Sequence, residues 1–195
     1  MHAISRIFLK TLAVLAITLA LSVQAQTAKK PSTIPFLDTV YLLNWEADAD
    51  HGWAAAWLPE GDDLPDYTNM LRVEHTTNQS VTEAVQAQLQ FLKQMEESSS
   101  NAGARILDLT ENPNTREVVL VFQTVIIENE IARWKWSAYR YMPIQTANGK
   151  QEGVRQFDHS RQYIGNDKEG IERFLEESND KQAERINALT HLQIP

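Results

Sequence analysis

The residues best suited to chemistry sit in "FDHSR", where Asp158, His159 and Ser160 are consecutive. An acid, an imidazole and a hydroxyl are the parts of a nucleophilic relay. Consecutive residues on a strand point to opposite faces, however, so this trio cannot close a relay by itself. A hydrolase would have to bring His159 to carboxylates elsewhere in the chain. The other histidines beyond the N-terminal segment are His51, His75 and His191, too widely spaced for an H-E-x-x-H metal site. No G-x-S-x-G nucleophile elbow and no phosphate-cradling glycine loop occur.

Two further groups of residues carry binding chemistry. "ARWKWSAYRY" (132–141) concentrates aromatics and cations. At the period of a strand, Trp134, Trp136, Ala138 and Met142 share one face, while Lys135, Ser137, Tyr139 and Tyr141 share the other. The tryptophan face reads as a surface beneath a helix and the tyrosine face as half solvated. Tyr139 and Tyr141 would then stack on a ligand whose charge Lys135 or Arg155 would hold. Two turns, "DADHG" and "GDDLPD", could bring Asp48, Asp50, Asp62 and Asp63 together at one end of the first predicted hairpin. If the turns approach each other, those oxygens suit Ca²⁺; otherwise they are ordinary solvated turn residues. The sequence itself calls for no cofactor.

The elements that would position these groups follow from periodicity. "LDTVYLLNWE", "WAAAWLPE" and "NMLRVEH" read as three strands. Ser80 and Glu83 have capping-box spacing ahead of a helix whose apolar face carries Val81, Val85, Leu89 and Leu92. "ARILDLT" follows as a strand. "REVVLVFQTVII" is apolar on both faces and therefore central, with each face covered. "ENE" turns into the aromatic segment. Asn148-Gly149 turns again into the return strand "GVRQFDHSRQYIG". The C-terminal part is helical, as one helix with a break at "ESND" or as two. The expectation is an α+β domain: an antiparallel sheet of six or seven strands with helices packed on it.

The N-terminal 25 residues read as a cleavable secretory signal, with basic Arg6 and Lys10, an apolar run of twelve residues (11–22) and a "VQA" cleavage site. Residues 26–35 read as a flexible leader and 36–195 as one domain. The chain has no cysteine, which excludes a lipoprotein anchor, disulfides and thiolate metal sites. The signal holds two of the 18 Lys and Arg and none of the 26 Asp and Glu, so the remainder carries a net charge of −10. That charge argues against nucleic acid as a partner. The expected product is periplasmic or secreted, without stable membrane insertion once the signal is cleaved.

The order of elements across "WLPEGDDLPDYTNMLRVEHTTNQSVTEAVQAQLQFL" (57–92) resembles the PsbP/Mog1-like fold group: a strand, a proline-glycine loop, a short strand and a capped helix. The later hairpins match in order, although the tail "AERINALTHLQIP" is longer and more apolar. The resemblance implies an antiparallel sheet between helices. It also implies extracytoplasmic relatives of the DcrB type that mostly bind or assist other proteins, with no shared catalytic set to transfer. The sequence thus favours a non-catalytic binding or accessory protein whose partner is a protein or a cell-envelope component. The rival readings are a hydrolase built on His159 and an immunity or adaptor protein for a basic partner.

Overall fold

A computed structural model describes residues 30–98 and 101–194. The expected signal segment and the first residues of the expected leader lie outside the described residues. The elements run β1 (Thr33–Phe36), β2 (Thr39–Ala49), β3 (Gly52–Pro59), β4 (Asn69–Thr77), α1 (Val81–Ser98), β5 (Ala102–Glu111), β6 (Val118–Glu128), β7 (Ile131–Gln145), β8 (Gln151–Ile164), α2 (Lys168–Asp180) and α3 (Gln182–His191). All eight strands form one antiparallel sheet in the order β1-β2-β3-β4-β8-β7-β6-β5. The class is α+β, with one strand more than the sequence indicated.

The extra strand corrects the leader. In "TIPF" the apolar Ile34 and Phe36 alternate with Thr33 and Pro35, and both are buried at 4% exposure. Proline removes a ladder donor, which a sheet edge tolerates; Pro35 faces Val40 of β2 on that edge. Trp57 Nε1 ties down the approach to β1 by donating to the carbonyl of Pro31, two residues ahead of the strand, at 2.8 Å.

Two four-stranded meanders, β1–β4 and β5–β8, meet at the β4–β8 seam. Tight turns set the hairpins. Asn129 and Glu130 both have positive φ (51° and 65°), the signature of a two-residue type I′ turn between β6 and β7. At Gly52 a side chain is excluded outright: a Cβ would lie 1.7 Å from the His75 carbonyl oxygen. The backbones of β3 and β4 therefore meet there only because the residue is glycine.

The connection between meanders is α1. It has 18 residues, about 27 Å of helix, enough to cross the roughly 19 Å between β4 and the far edge at β5. The capping box forms as read: Ser80 Oγ accepts from Glu83 N at 3.2 Å, and Glu83 Oε2 accepts from Ser80 N at 2.8 Å. Val81, Val85 and Leu92 pack on Leu120, Phe122, Tyr139, Tyr141 and Val154. The opposite face of the sheet carries the larger core, where Trp57, Leu71, Val73, Val121, Trp136 and Phe157 lie with Phe174, Leu189 and Ile194 of the C-terminal helices and tail. Those helices are two, separated at Lys181. β6 is apolar on both faces because it lies between these layers, as its sequence required.

Candidate functional site

β7 and β8 lie side by side with Ala138 opposite His159 and Tyr139 opposite Asp158. Register therefore sends two sets of side chains to two faces. Trp136, fully buried, does turn inward beneath the C-terminal helices. The tyrosine face departs from expectation. Tyr141 is fully buried and Tyr139 is 9% exposed, because α1 crosses above them. Burial pushes both phenols well above the ordinary tyrosine range. They are core residues and offer no open stacking platform. Arg155 is separated from Lys135 as well: it lies on the other face, where its Nη1 donates to the Ile194 carbonyl at 2.8 Å and holds the C-terminal tail.

Beneath the α1 side of the sheet lies a buried polar cluster. Asp158 is 1% exposed, and Ser137 and Ser160 are fully buried. Ser160 Oγ donates to Asp158 Oδ1 at 2.5 Å, and the two serine oxygens are 3.0 Å apart. Asp158 Oδ2 has no hydrogen-bond partner. Burial raises the Asp158 pKa; the Lys135 charge and the Ser160 hydroxyl oppose that rise. A cleft of about 270 Å³ opens beside this cluster, between α1 and β4, edged by Arg72, Glu74, Gln156, Gln88 and Tyr139. Arg72 and Glu74 form an ion pair along that edge.

The opposite face holds His159. It is 1% exposed, with ring centroids of Phe36 at 4.8 Å and Trp136 at 5.9 Å. Neither ring nitrogen has a hydrogen-bond partner. Burial, reinforced by the charges of Arg185 and Arg161, pushes its pKa down to about 3. Asp158 and Ser160 are on the far side of the sheet. Among the described residues no carboxylate hydrogen-bonds the imidazole, and the relay that a His159 hydrolase needs is not assembled from them.

Next to His159 are two arginines that the sequence did not single out. Arg161 Nη2 reaches Glu177 Oε2 at 3.2 Å and its Nη1 reaches Ser178 Oγ at 3.4 Å. Arg185, 5% exposed, donates from Nη1 to the carbonyls of Glu177 and Ser178, both at 3.0 Å, and lies 5.4 Å above the Trp136 ring. Those carbonyls close α2, where the helix dipole favours a cation. Burial first, and then Arg161, lower the Arg185 pKa to about 10. A cavity of about 410 Å³ lies between these arginines, His159 and the β1–β2 turn.

The acidic turns do not converge. Asp48 lies on β2 and Asp50 in the turn at the start of β3, whereas Asp62 and Asp63 follow its end. The strand separates them by roughly 23 Å. Asp62 is occupied locally, accepting from Thr68 N and Oγ1 at 2.7 Å each, while Asp48 pairs with Lys30 at 3.2 Å. Among the described residues no three His, Asp or Glu side chains are grouped to hold a metal ion.

An open apolar surface lies on β2. Val40, Leu42 and Trp45 are 56%, 40% and 42% exposed. Leu42 is opposite Leu58 and, after a bulge, Trp45 is opposite Ala56, so all three residues share one face of β2. The loop after β3 covers only the neighbouring part of that face, where Tyr67 packs on Ala56, Leu58 and Met70. Arg133 and Gln162 fasten this loop through the Pro65 carbonyl at 3.1 and 2.8 Å. Sequence periodicity pointed to β2 as a strand but not to which of its faces lacks a cover.

Among the described residues no helix is long and apolar enough to cross a membrane. No curated protein matches the chain. A protein-family model does match, over residues 28–194, which takes in every strand and helix described above. By that match the chain belongs to this family.

Proposed function

We propose that this protein is a non-catalytic binding protein of the cell envelope, exported by its N-terminal signal, which contacts a protein partner through the open face of β2. The observation that carries the reading is the exposed row of Val40, Leu42 and Trp45 on one sheet face. Contiguous exposed apolar side chains on a charged, soluble-type surface mark contact sites. Tryptophan is also the side chain most enriched where binding energy concentrates. The groups able to do acid–base or nucleophilic chemistry support the same reading from the other side. His159, Asp158, Ser137 and Ser160 are all buried, at 1% exposure or less, and are not assembled into a relay. The likeness of element order to the PsbP/Mog1-like group, whose members mostly bind or assist other proteins, points the same way.

The test is site-specific photo-crosslinking in the native host, with a photoreactive residue at position 45 and, as control, at Lys93 on the outer side of α1. Position 45 should give a discrete adduct that Leu42→Glu abolishes. Adducts of equal yield from both positions, or none from position 45, would refute the contact face. Fractionation and N-terminal sequencing check the export arm separately: the mature protein should begin at Gln26.

A further inference from the structure

We propose that the cavity between the β1–β2 turn, β8 and the α2–α3 junction binds a small oxyanion ligand of carboxylate or phosphate type. This site is distinct from the β2 face and does not depend on it.

Three observations carry the inference. First, Arg185 is a buried cation that no carboxylate contacts directly among the described residues: its Nη1 donates to two carbonyl oxygens, of Glu177 and Ser178, and the carboxylates of Glu184 and Glu177 act on it only from a distance. Main-chain dipoles compensate a guanidinium only in part, and a buried charge left short of a counter-ion is costly. Second, Arg161 borders the same cavity. Two like charges at one cavity are stabilised by an anion between them, and the planar fork of arginine matches carboxylate and phosphate oxygens. Third, His159 lines the cavity with both ring nitrogens unpartnered, though it is 99% buried. A neutral imidazole supplies one N–H donor to a ligand oxygen.

The carboxylates nearby do not already fill this role. Glu177 is turned to Arg161. Asp38 and Glu184 are exposed at the rim; among the described residues neither forms an ion pair with Arg185, and Glu184 offsets its charge only through space. Lys181, also at the rim, adds a positive charge at the mouth. The cavity, about 410 Å³, has room for a small organic acid or phosphate ester.

The experiment is titration of the purified protein with inorganic phosphate and, separately, with succinate. Ionic strength is held constant with chloride, and binding is read from the arginine side-chain NMR signals and by calorimetry. At least one probe should saturate, with Kd of about 1 mM or tighter. Phosphate alone saturating assigns the phosphate class, and succinate alone the carboxylate class. Arg185→Lys, which keeps the charge but loses the fork, should weaken binding at least about tenfold. Lys181→Gln, at an exposed position that leaves folding intact, should weaken it about two- to threefold. Should Arg185→Lys fail to fold, Arg161→Gln and Lys181→Gln carry the comparison. Trp45→Glu should leave the affinity unchanged. Linear, non-saturating responses to both probes overturn the proposal. So does saturable binding that is identical in the wild type and in every folded arginine and lysine variant.

Discussion

Asp158 and His159 are neighbours in the chain, each 1% exposed, yet they are sealed on opposite faces of the same sheet. Their titrations pull stability in opposite directions. The His159 pKa is lowered in the folded protein, so its contribution is fully present above the unfolded value near 6.5 and is lost as pH falls towards about 3. The Asp158 pKa is raised, so its contribution is present below the ordinary carboxylate value and is lost as pH climbs through the folded one.

Chemical denaturation should therefore show the histidine effect on mild acidification. Between pH 6.5 and 4.5 the wild type should lose roughly 1 kcal/mol per pH unit from this residue. His159→Phe places an apolar ring between Phe36 and Trp136 and should flatten that slope. An unchanged slope in the variant would mean that the imidazole reaches water or a partner.

Asp158→Asn removes the buried charge while keeping an oxygen for the Ser160 hydroxyl. At neutral pH the variant should be more stable than the wild type, by roughly 1–3 kcal/mol. The difference should shrink as the wild-type carboxyl becomes protonated on acidification. A destabilised variant at pH 7 would show instead that Lys135 balances the charge.

Gly52→Ala should be severe. Its Cβ would overlap the His75 carbonyl, and the φ of 147° disfavours any side chain. A loss of more than about 3 kcal/mol, or failure to fold, is expected. Gly149→Ala has open space around its Cβ and only the backbone cost of its positive φ, so it should lose about 1 kcal/mol. Thermal denaturation of the pair separates the two causes.

Trp45→Glu should change stability by no more than about 0.5 kcal/mol, because the indole is 42% exposed. Trp136→Ala should cost about 3–5 kcal/mol, because a fully buried indole leaves a cavity under Arg185. Urea midpoints for the two variants, measured side by side, distinguish a contact residue from a core residue of the same type.

How much of this was legible in advance depended on whether local periodicity was enough. The two apolar faces of β6, the inward turn of Trp136, the α1 capping box and the turn at Asn148-Gly149 are all written within a few residues of themselves. What failed was coverage by distant elements. Nothing near Tyr139 and Tyr141 announces that α1 passes above them, so an amphipathic strand reads as half solvated when it is buried on both sides. β1 is short and carries a proline, both marks of an edge strand and both easily read as linker. Arg161 and Arg185 are 24 positions apart, and each alone reads as surface charge. Only the packing of α3 on β8 brings them to one cavity. The acidic turns failed for the reverse reason: they are near in sequence, but a whole strand holds them apart.

The seam between the meanders sets an order of events. Asn69 pairs with Arg161 and Thr77 with Gly153, so β4 has no partner on that side until the last strand has been made. A nascent chain therefore presents an open strand edge for most of its emergence, when unpaired edges invite association with other chains. Keeping that edge covered until residue 161 has been made is what this arrangement of strands asks of its cell.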